Sequence, residues 1–238
     1  MYILFFYINL VISTIILGIF VIIIGIFNPR SYYLRYIKQF WGKWLFWSTG
    51  LNYEIEGIEN LDLSKKYIFI SNHESALEII LQLSVLPYNI VFLAKKELFS
   101  IPFFGWLMYL SGMISVDRTN KDKAIKSINK SIDILKNNNI SILLYPEGSR
   151  TTNGELKEFK KGGFILAIES NISIVPLTIL NAYNLLPSKS LIFKKGTIKM
   201  IIDQPIEMNK YTIDDKIELI GHCRNVIKNN KDNYYAKQ

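Results

Sequence analysis

Tyr67-Ile68-Phe69-Ile70-Ser71-Asn72-His73-Glu74-Ser75-Ala76-Leu77-Glu78 is the stretch that decides the fold. An apolar run of strand length, rich in β-branched and aromatic residues, ends in a polar turn, and a helical apolar period begins straight after it. Strand, short turn and helix in that order are the building step of an α/β sheet, and side chains at the carboxyl end of such a strand face the crevice where open α/β sheets bind ligands. His73 stands at that point and is one of two histidines in the chain. Its imidazole can titrate near neutral pH and take a proton from a hydroxyl, provided the other ring nitrogen is held as the N–H donor. Glu78, five residues on in the first helical turn, can reach back to hold it. Ser75-Ala-Leu-Glu78 equally fits a capping box, with Ser75 capping the helix and Glu78 returning to the cap's own N–H; the two readings are compatible.

Outward from this stretch the alternation continues. Further strands are expected at 53–56, 90–94, 113–117, 141–145, 174–179 and 198–202. Helices are expected near 75–86, 101–110, 121–136, 163–170 and 214–228. The pattern predicts an α/β fold with a largely parallel sheet flanked by helices, preceded by an N-terminal transmembrane or interfacial helical segment. Residues 1–29 read as a transmembrane helix, 30–50 as an interfacial basic-aromatic helix and 51–238 as the catalytic domain. The Asn/Lys-rich 136–139 and the tail after Asn229 read as solvated ends.

From Met1 to Phe27 there is no charged side chain, which is enough to cross a hydrocarbon core of about 30 Å. A cleaved signal peptide would need a basic start and a small-x-small cleavage site, and neither is present. Arg30, Arg35, Lys38 and Lys43 follow before the first acid, Glu54, so this flank should stay in the cytoplasm and hold the catalytic domain on the cytoplasmic face of the membrane. The flank mixes bulky aromatics with basic residues, which suits a helix in the bilayer interface as well as one packed on the domain.

The formal net charge of +8 favours anionic partners: nucleic acid, a phosphate-bearing substrate or an anionic membrane surface. Nucleic acid fits poorly, because the basic residues are scattered among apolar helices and one end is membrane-like. The single Cys223 excludes an internal disulfide and suits a cytosolic soluble portion. His222 lies on a terminal amphipathic helix far from any motif and reads as structural. No His/Cys cluster indicates a metal site, and no cofactor is expected.

Four further loops carry polar groups at strand ends or helix starts. Asp117-Arg118 ends one strand. Tyr145-Pro146-Glu147-Gly148-Ser149-Arg150 follows another, its Pro and Gly building a tight turn that would present Glu147 and Arg150 at the rim of the sheet. Phe159-Lys160-Lys161-Gly162-Gly163 opens a helix, where backbone N–H groups and the macrodipole favour an anion. Val175-Pro176-Leu177 has no chemistry of its own, and its proline would suit an edge or a bulge. Arg118, Arg150 and Lys160 are thus three cations at crevice-side termini beside His73, and arginine's fork matches phosphate oxygens in pairs. The combination suggests a substrate with both a phosphate and a hydroxyl.

Asn72-His73-x4-Glu78, Gly112-x-Ile114-x-Val116-Asp117-Arg118, Tyr145-Pro146-Glu147-Gly148-Ser149-Arg150 and Val175-Pro176-Leu177 together resemble the four ordered motifs of the glycerolipid acyltransferases, and most of all the bacterial 1-acyl-glycerol-3-phosphate acyltransferases. The likeness covers about Leu51 to Ile206. It implies transfer of a fatty acyl group from acyl-CoA or acyl carrier protein to the free hydroxyl of lysophosphatidic acid, giving phosphatidic acid without a covalent acyl-enzyme. In that family the histidine matching His73 is the general base and the acid matching Glu78 orients it. The arginine matching Arg118 and the turn of Glu147, Gly148, Ser149 and Arg150 are associated with the acyl acceptor. Glu78 stands where aspartate is commonest and Ser149 where threonine is usual. A glycerol-3-phosphate or other lyso-lipid acyltransferase is the near alternative, and a non-catalytic membrane-anchored lipid-binding protein the distant one. A serine hydrolase is disfavoured, since no Gly-x-Ser-x-Gly elbow is present.

Overall fold

The computed structural model describes residues 2–117 and 121–237. In chain order the elements are α1 (Tyr2–Phe27), α2 (Tyr33–Thr49), β1 (Asn52–Glu56), β2 (Ile68–Ser71), α3 (Leu77–Val85), β3 (Ile90–Lys95), α4 (Phe104–Leu110), β4 (Ile114–Val116), α5 (Lys121–Asn137), β5 (Ser141–Leu144), α6 (Gly162–Ser170), β6 (Ile174–Leu180), α7 (Ala182–Leu185), β7 (Thr197–Ile202) and α8 (Lys216–Tyr235). Every expected strand forms, and the expected mixed α/β class with mostly parallel pairing holds: β1–β7, β2–β6 and β3–β4 are parallel, β6–β7 antiparallel. The chain divides into two compact units, Met1–Gly50 with Ile79–Ile142 and Leu51–Glu78 with Leu143–Gln238.

In the second unit the strands lie in the order β1-β7-β6-β2. β6, paired on both sides, is buried along all seven residues, as its unbroken apolar run requires. Pro176 nevertheless sits inside it. Between the Leu177–Ile202 pairing and the Ile174–Ile206 bridge, residues 175–176 face 203–205, so the proline occupies a bulge where its missing N–H costs no ladder bond. Its carbonyl accepts from the Asp203 N–H at 3.0 Å.

The tail departs from expectation. α8 continues to Tyr235 rather than ending in solvated coil. Asn230 Nδ2 donates to Thr178 Oγ1 (3.0 Å) and Asp203 Oδ2 (2.9 Å), the Tyr235 hydroxyl accepts from the Asn181 N–H (3.1 Å), and Lys231 is buried. Polar residues read as solvent-facing when their partners lie far away in sequence.

In the first unit α2 runs back antiparallel along α1. Trp41 Nε1 donates to Thr14 Oγ1 and Trp44 Nε1 to Asn9 Oδ1, both at 3.1 Å, and the Phe5 and Trp47 rings meet edge to face. α2 buries Leu34, Gly42, Leu45 and Phe46 while exposing Tyr33, Tyr36, Phe40, Trp44 and Trp47, so it is packed on one side and aromatic on the other. Lys38 is not part of the basic surface. It is buried, with Nζ donating to Asn89 Oδ1 (2.7 Å) and the Ile90 carbonyl (2.6 Å). α4 packs on α1 at two glycines: a Cβ on Gly18 would lie 2.9 Å from Leu107 Cδ1, and one on Gly25 2.3 Å from the Leu110 carbonyl oxygen. Close contacts through small residues are how apolar helices associate when no water drives them together. Among the described residues α1 is the one helix long and apolar enough to cross a membrane, over Ile3–Phe27.

Candidate active site

The site begins where β2 stops. Asn72 ends the strand by imitating its backbone: Oδ1 accepts from the Ile179 N–H (2.7 Å) and Nδ2 donates to the Ile179 carbonyl (2.9 Å). The chain then leaves the sheet at a fixed angle and delivers His73. Both main-chain groups of His73 are engaged by the following segment of the same unit. Its N–H donates to Glu147 Oε1 (2.7 Å), and its carbonyl accepts from the Thr151 N–H (2.8 Å). The imidazole stacks on the Tyr145 ring with centroids 3.9 Å apart and planes 11° from parallel.

Glu78 is completely buried, and His73 Nδ1 lies against its Oε1 in a short contact. The carboxylate also accepts from the Glu74 N–H, 3.0 Å from each oxygen, and from the Ser75 N–H at 2.8 Å. Ser75 Oγ accepts from the Leu77 N–H at 3.3 Å, so the capping box and the histidine contact exist together. With a carboxylate as its partner, Nδ1 carries the proton and Nε2 is the basic nitrogen. Burial and then the neighbouring Glu74 charge push the Glu78 carboxyl well up. The Ser75 and Glu74 N–H groups and the Arg150 charge pull it back.

The remaining predicted residues divide by accessibility. Glu147 is buried, and its second oxygen accepts from the Lys157 N–H at 3.1 Å, so it joins the His73 loop to residues 157–160 rather than presenting itself at the rim. Burial raises its carboxyl above the usual range, against the pull of those two N–H groups. Gly148 has φ +77°, and a Cβ there would meet Lys160 Nζ at 2.8 Å. The turn therefore needs glycine on two counts, and it sets the Lys160 ammonium beside it. Arg150, Ser149 and Lys160 are exposed, with Lys157 Nζ donating to Ser149 Oγ (3.1 Å) and the Arg150 carbonyl (2.6 Å). Lys157 thus joins the cations of this turn, though nothing in its sequence context singled it out. Arg118 lies outside the described residues. Sequence reasoning also gave no role to Glu74, which is buried beside the dyad, and its partners on α7 and α8 carry no local signal. Among the described residues no group of three His, Cys, Asp or Glu side chains could hold a metal.

An imidazole with its orienting carboxylate, flanked by exposed cations, can deprotonate a hydroxyl on an anionic substrate. The comparisons fall in the same place. The family described as Acyltransferase matches residues 52–180. The 1-acyl-sn-glycerol-3-phosphate acyltransferase of Saccharomyces cerevisiae is 38% identical over 167 residues, covering 69% of this chain and 55% of that protein. The human 1-acyl-sn-glycerol-3-phosphate acyltransferase beta is 28% identical over 198 residues, covering 83% of this chain and 68% of that one. The chain spans about half to two thirds of the length of the curated relatives it matches. The crystal structure of the 1-acyl-sn-glycerophosphate acyltransferase PlsC from Thermotoga maritima superposes with a TM-score of 0.83 at 25% identity, covering 99% of this chain and 95% of that one.

Proposed function

Because the chain belongs to the Acyltransferase family, we propose that it transfers a fatty acyl group from a thioester, acyl-CoA or acyl carrier protein, to the hydroxyl of 1-acyl-glycerol-3-phosphate, making phosphatidic acid. The observation that carries this reading is His73, held by Glu78 through Nδ1 and stacked on Tyr145. As the acceptor oxygen attacks the thioester carbonyl, His73 Nε2 takes the hydroxyl proton and Glu78 supports the imidazolium. The new C–O bond forms and the C–S bond breaks. The leaving thiolate takes the proton from the imidazolium, returning His73 to its neutral form and releasing a free thiol. Arg150 and Lys160, with Arg118, would bind the acceptor phosphate. Glu147, Gly148 and Ser149 shape the turn that carries Arg150.

Incubation of the purified protein with lysophosphatidic acid and each thioester, followed by mass spectrometry, should yield phosphatidic acid. Product only from glycerol-3-phosphate or another lyso-lipid would reassign the acceptor. No turnover with any donor would leave a membrane-anchored lipid-binding protein as the better account.

The apolar α1 supports membrane association, and the basic residues after Pro29 support a cytoplasmic side for the catalytic residues. Protease added outside sealed cells should spare the catalytic segment. A tag at the N-terminus then separates two courses for the helix pair. Reached from outside, it means that α1 crosses the membrane; protected, it means that α1 and the returning α2 enter and leave on the cytoplasmic side.

A further inference from the structure

Lys231, 157 residues after Glu74, projects from the last turns of α8 into the His73 loop. Its side chain is 9% exposed and that of Glu74 2%. The ammonium donates to Glu74 Oε1 in a short contact and to the Gly154 carbonyl at 3.2 Å, and it lies 5.7 Å from the centre of the Tyr235 ring. Glu74 is otherwise filled by Asn72 Nδ2 (3.1 Å) and the Tyr183 N–H (3.1 Å). Both hydrogen bonds of the ammonium lead back to His73. Asn72 and Glu74 are its chain neighbours, and Gly154 belongs to the loop whose Thr151 N–H caps the His73 carbonyl. One buried ammonium thus ties together both loops that meet at the imidazole.

We propose that Lys231 is a positioning residue for the His73–Glu78 pair: it fixes those two loops, and its charge offsets that of Glu74, leaving Glu78 as the carboxylate that supports the imidazolium. The groups facing the pair are Glu74, Glu147, Tyr145 and Arg150, so three carboxylates are close to one ring. A carboxylate beside Glu78 without a cation would raise its proton affinity, which is the direction in which Glu74 already acts. Breaking one side of a buried ion pair leaves an uncompensated charge, whereas removing both sides does not.

The kinetic arm of the test rests on the acyl-transfer reading, and the spectroscopic arm does not. Full-length wild type is compared with Lys231→Met, Lys231→Arg, Glu74→Gln and the double variant Glu74→Gln/Lys231→Met. Turnover is measured on lysophosphatidic acid, and the ring titration of His73 is followed by NMR with labelled histidine. The chain has two histidines, so the His222 resonance is the only other signal. Lys231→Met should lower kcat about tenfold or more, with acceptor KM within about twofold, as a misplaced base does. The His73 midpoint should move up in Lys231→Met, where the unpaired carboxylate favours the imidazolium, and down in Glu74→Gln, where the unpaired ammonium opposes it. Lys231→Arg should recover part of the turnover. The double variant carries no unpaired buried charge; its midpoint should return toward wild type while kcat stays several-fold low, since the Gly154 carbonyl has lost its donor. A helix that only aids folding would change thermal stability alone. Wild-type kcat with an unmoved midpoint in Lys231→Met overturns the proposal. If that variant does not fold, wild-type kcat in the double variant overturns it. A wild type without acyl transfer would defeat the acyl-transfer reading and leave the NMR arm to decide the positioning role.

Discussion

Around His73, the buried carboxylates of Glu74, Glu78 and Glu147 each hold two or more donors, and one of them also holds the ammonium of Lys231. On α2, Lys38 is just as buried but rests on two neutral oxygens, the Asn89 amide and the Ile90 carbonyl. The two regions teach what opposes the cost of burying a charge. Around His73, N–H dipoles pull back against the rise that burial imposes on the Glu78 and Glu147 carboxyls, and the Arg150 charge adds to that pull at Glu78. Where the partners are neutral, burial drives the charge off, and the Lys38 ammonium is pushed down to about 7.

The strongest way to break this contrast is to remove the proposed base. His73→Ala should cost about 10²–10⁴ in kcat while leaving fold and acceptor affinity near wild type. A variant retaining more than half its turnover would take His73 out of the mechanism and reduce its carboxylate cluster to a folding device. Next comes Glu78→Gln, which keeps an acceptor oxygen for the Ser75 and Glu74 N–H groups but loses the charge. Turnover should fall about 10²-fold or more with little change in melting temperature. Early melting with normal low-temperature turnover would make the helix cap its main role.

A smaller effect separates the exposed cations from the buried ones. If Arg150 grips the acceptor phosphate, Arg150→Ala should raise acceptor KM about tenfold, and lysine there should rescue it only in part. Equal use of lysophosphatidic acid and lysophosphatidylcholine, with no change in KM, would deny it that contact. Arg118→Ala tests the same grip.

The smallest effect sharpens the Lys38 side. Its folded pKa lies below the ordinary 10.5, so between about 7 and 10.5 the unfolded chain binds more protons than the folded one, and stability should rise with pH through that window. Lys38→Met should flatten the rise. It leaves the Asn89 and Ile90 oxygens without a donor, at about 1–3 kcal/mol, which offsets part of the gain from no longer burying an ammonium near neutral pH. Denaturation midpoints in detergent from pH 6 to 10 decide it; equal slopes for both proteins would show that Lys38 stays charged when buried.

Much of the fold and the first half of the site were legible because their signals are local. The apolar runs of β2 and β6 could bury themselves only as strands with both faces covered, and the turn from Ser71 to Glu78 carries its histidine, its carboxylate and its cap within a few residues. Elsewhere the same local reasoning misassigned residues. Glu147 read as a rim residue because a Pro-Glu-Gly turn presents its side chains, yet two N–H groups from other segments draw it inward. Lys38 read as part of a basic flank because its acceptors are about fifty residues away. The tail after Asn229 read as solvated because Thr178, Asp203 and Glu74 are invisible from it.

The sequence by itself therefore determined the element types, the apolar N-terminal helix and the His73–Glu78 pair, since periodicity, charge and a five-residue spacing act within one or two turns of chain. Only the tertiary structure decided which ionisable groups are buried and what holds them: Lys231 on Glu74, Glu147 on the His73 N–H, Lys38 on Asn89 and Ile90. Those partners come from distant segments, and their convergence comes from packing and has no signature in neighbouring residues.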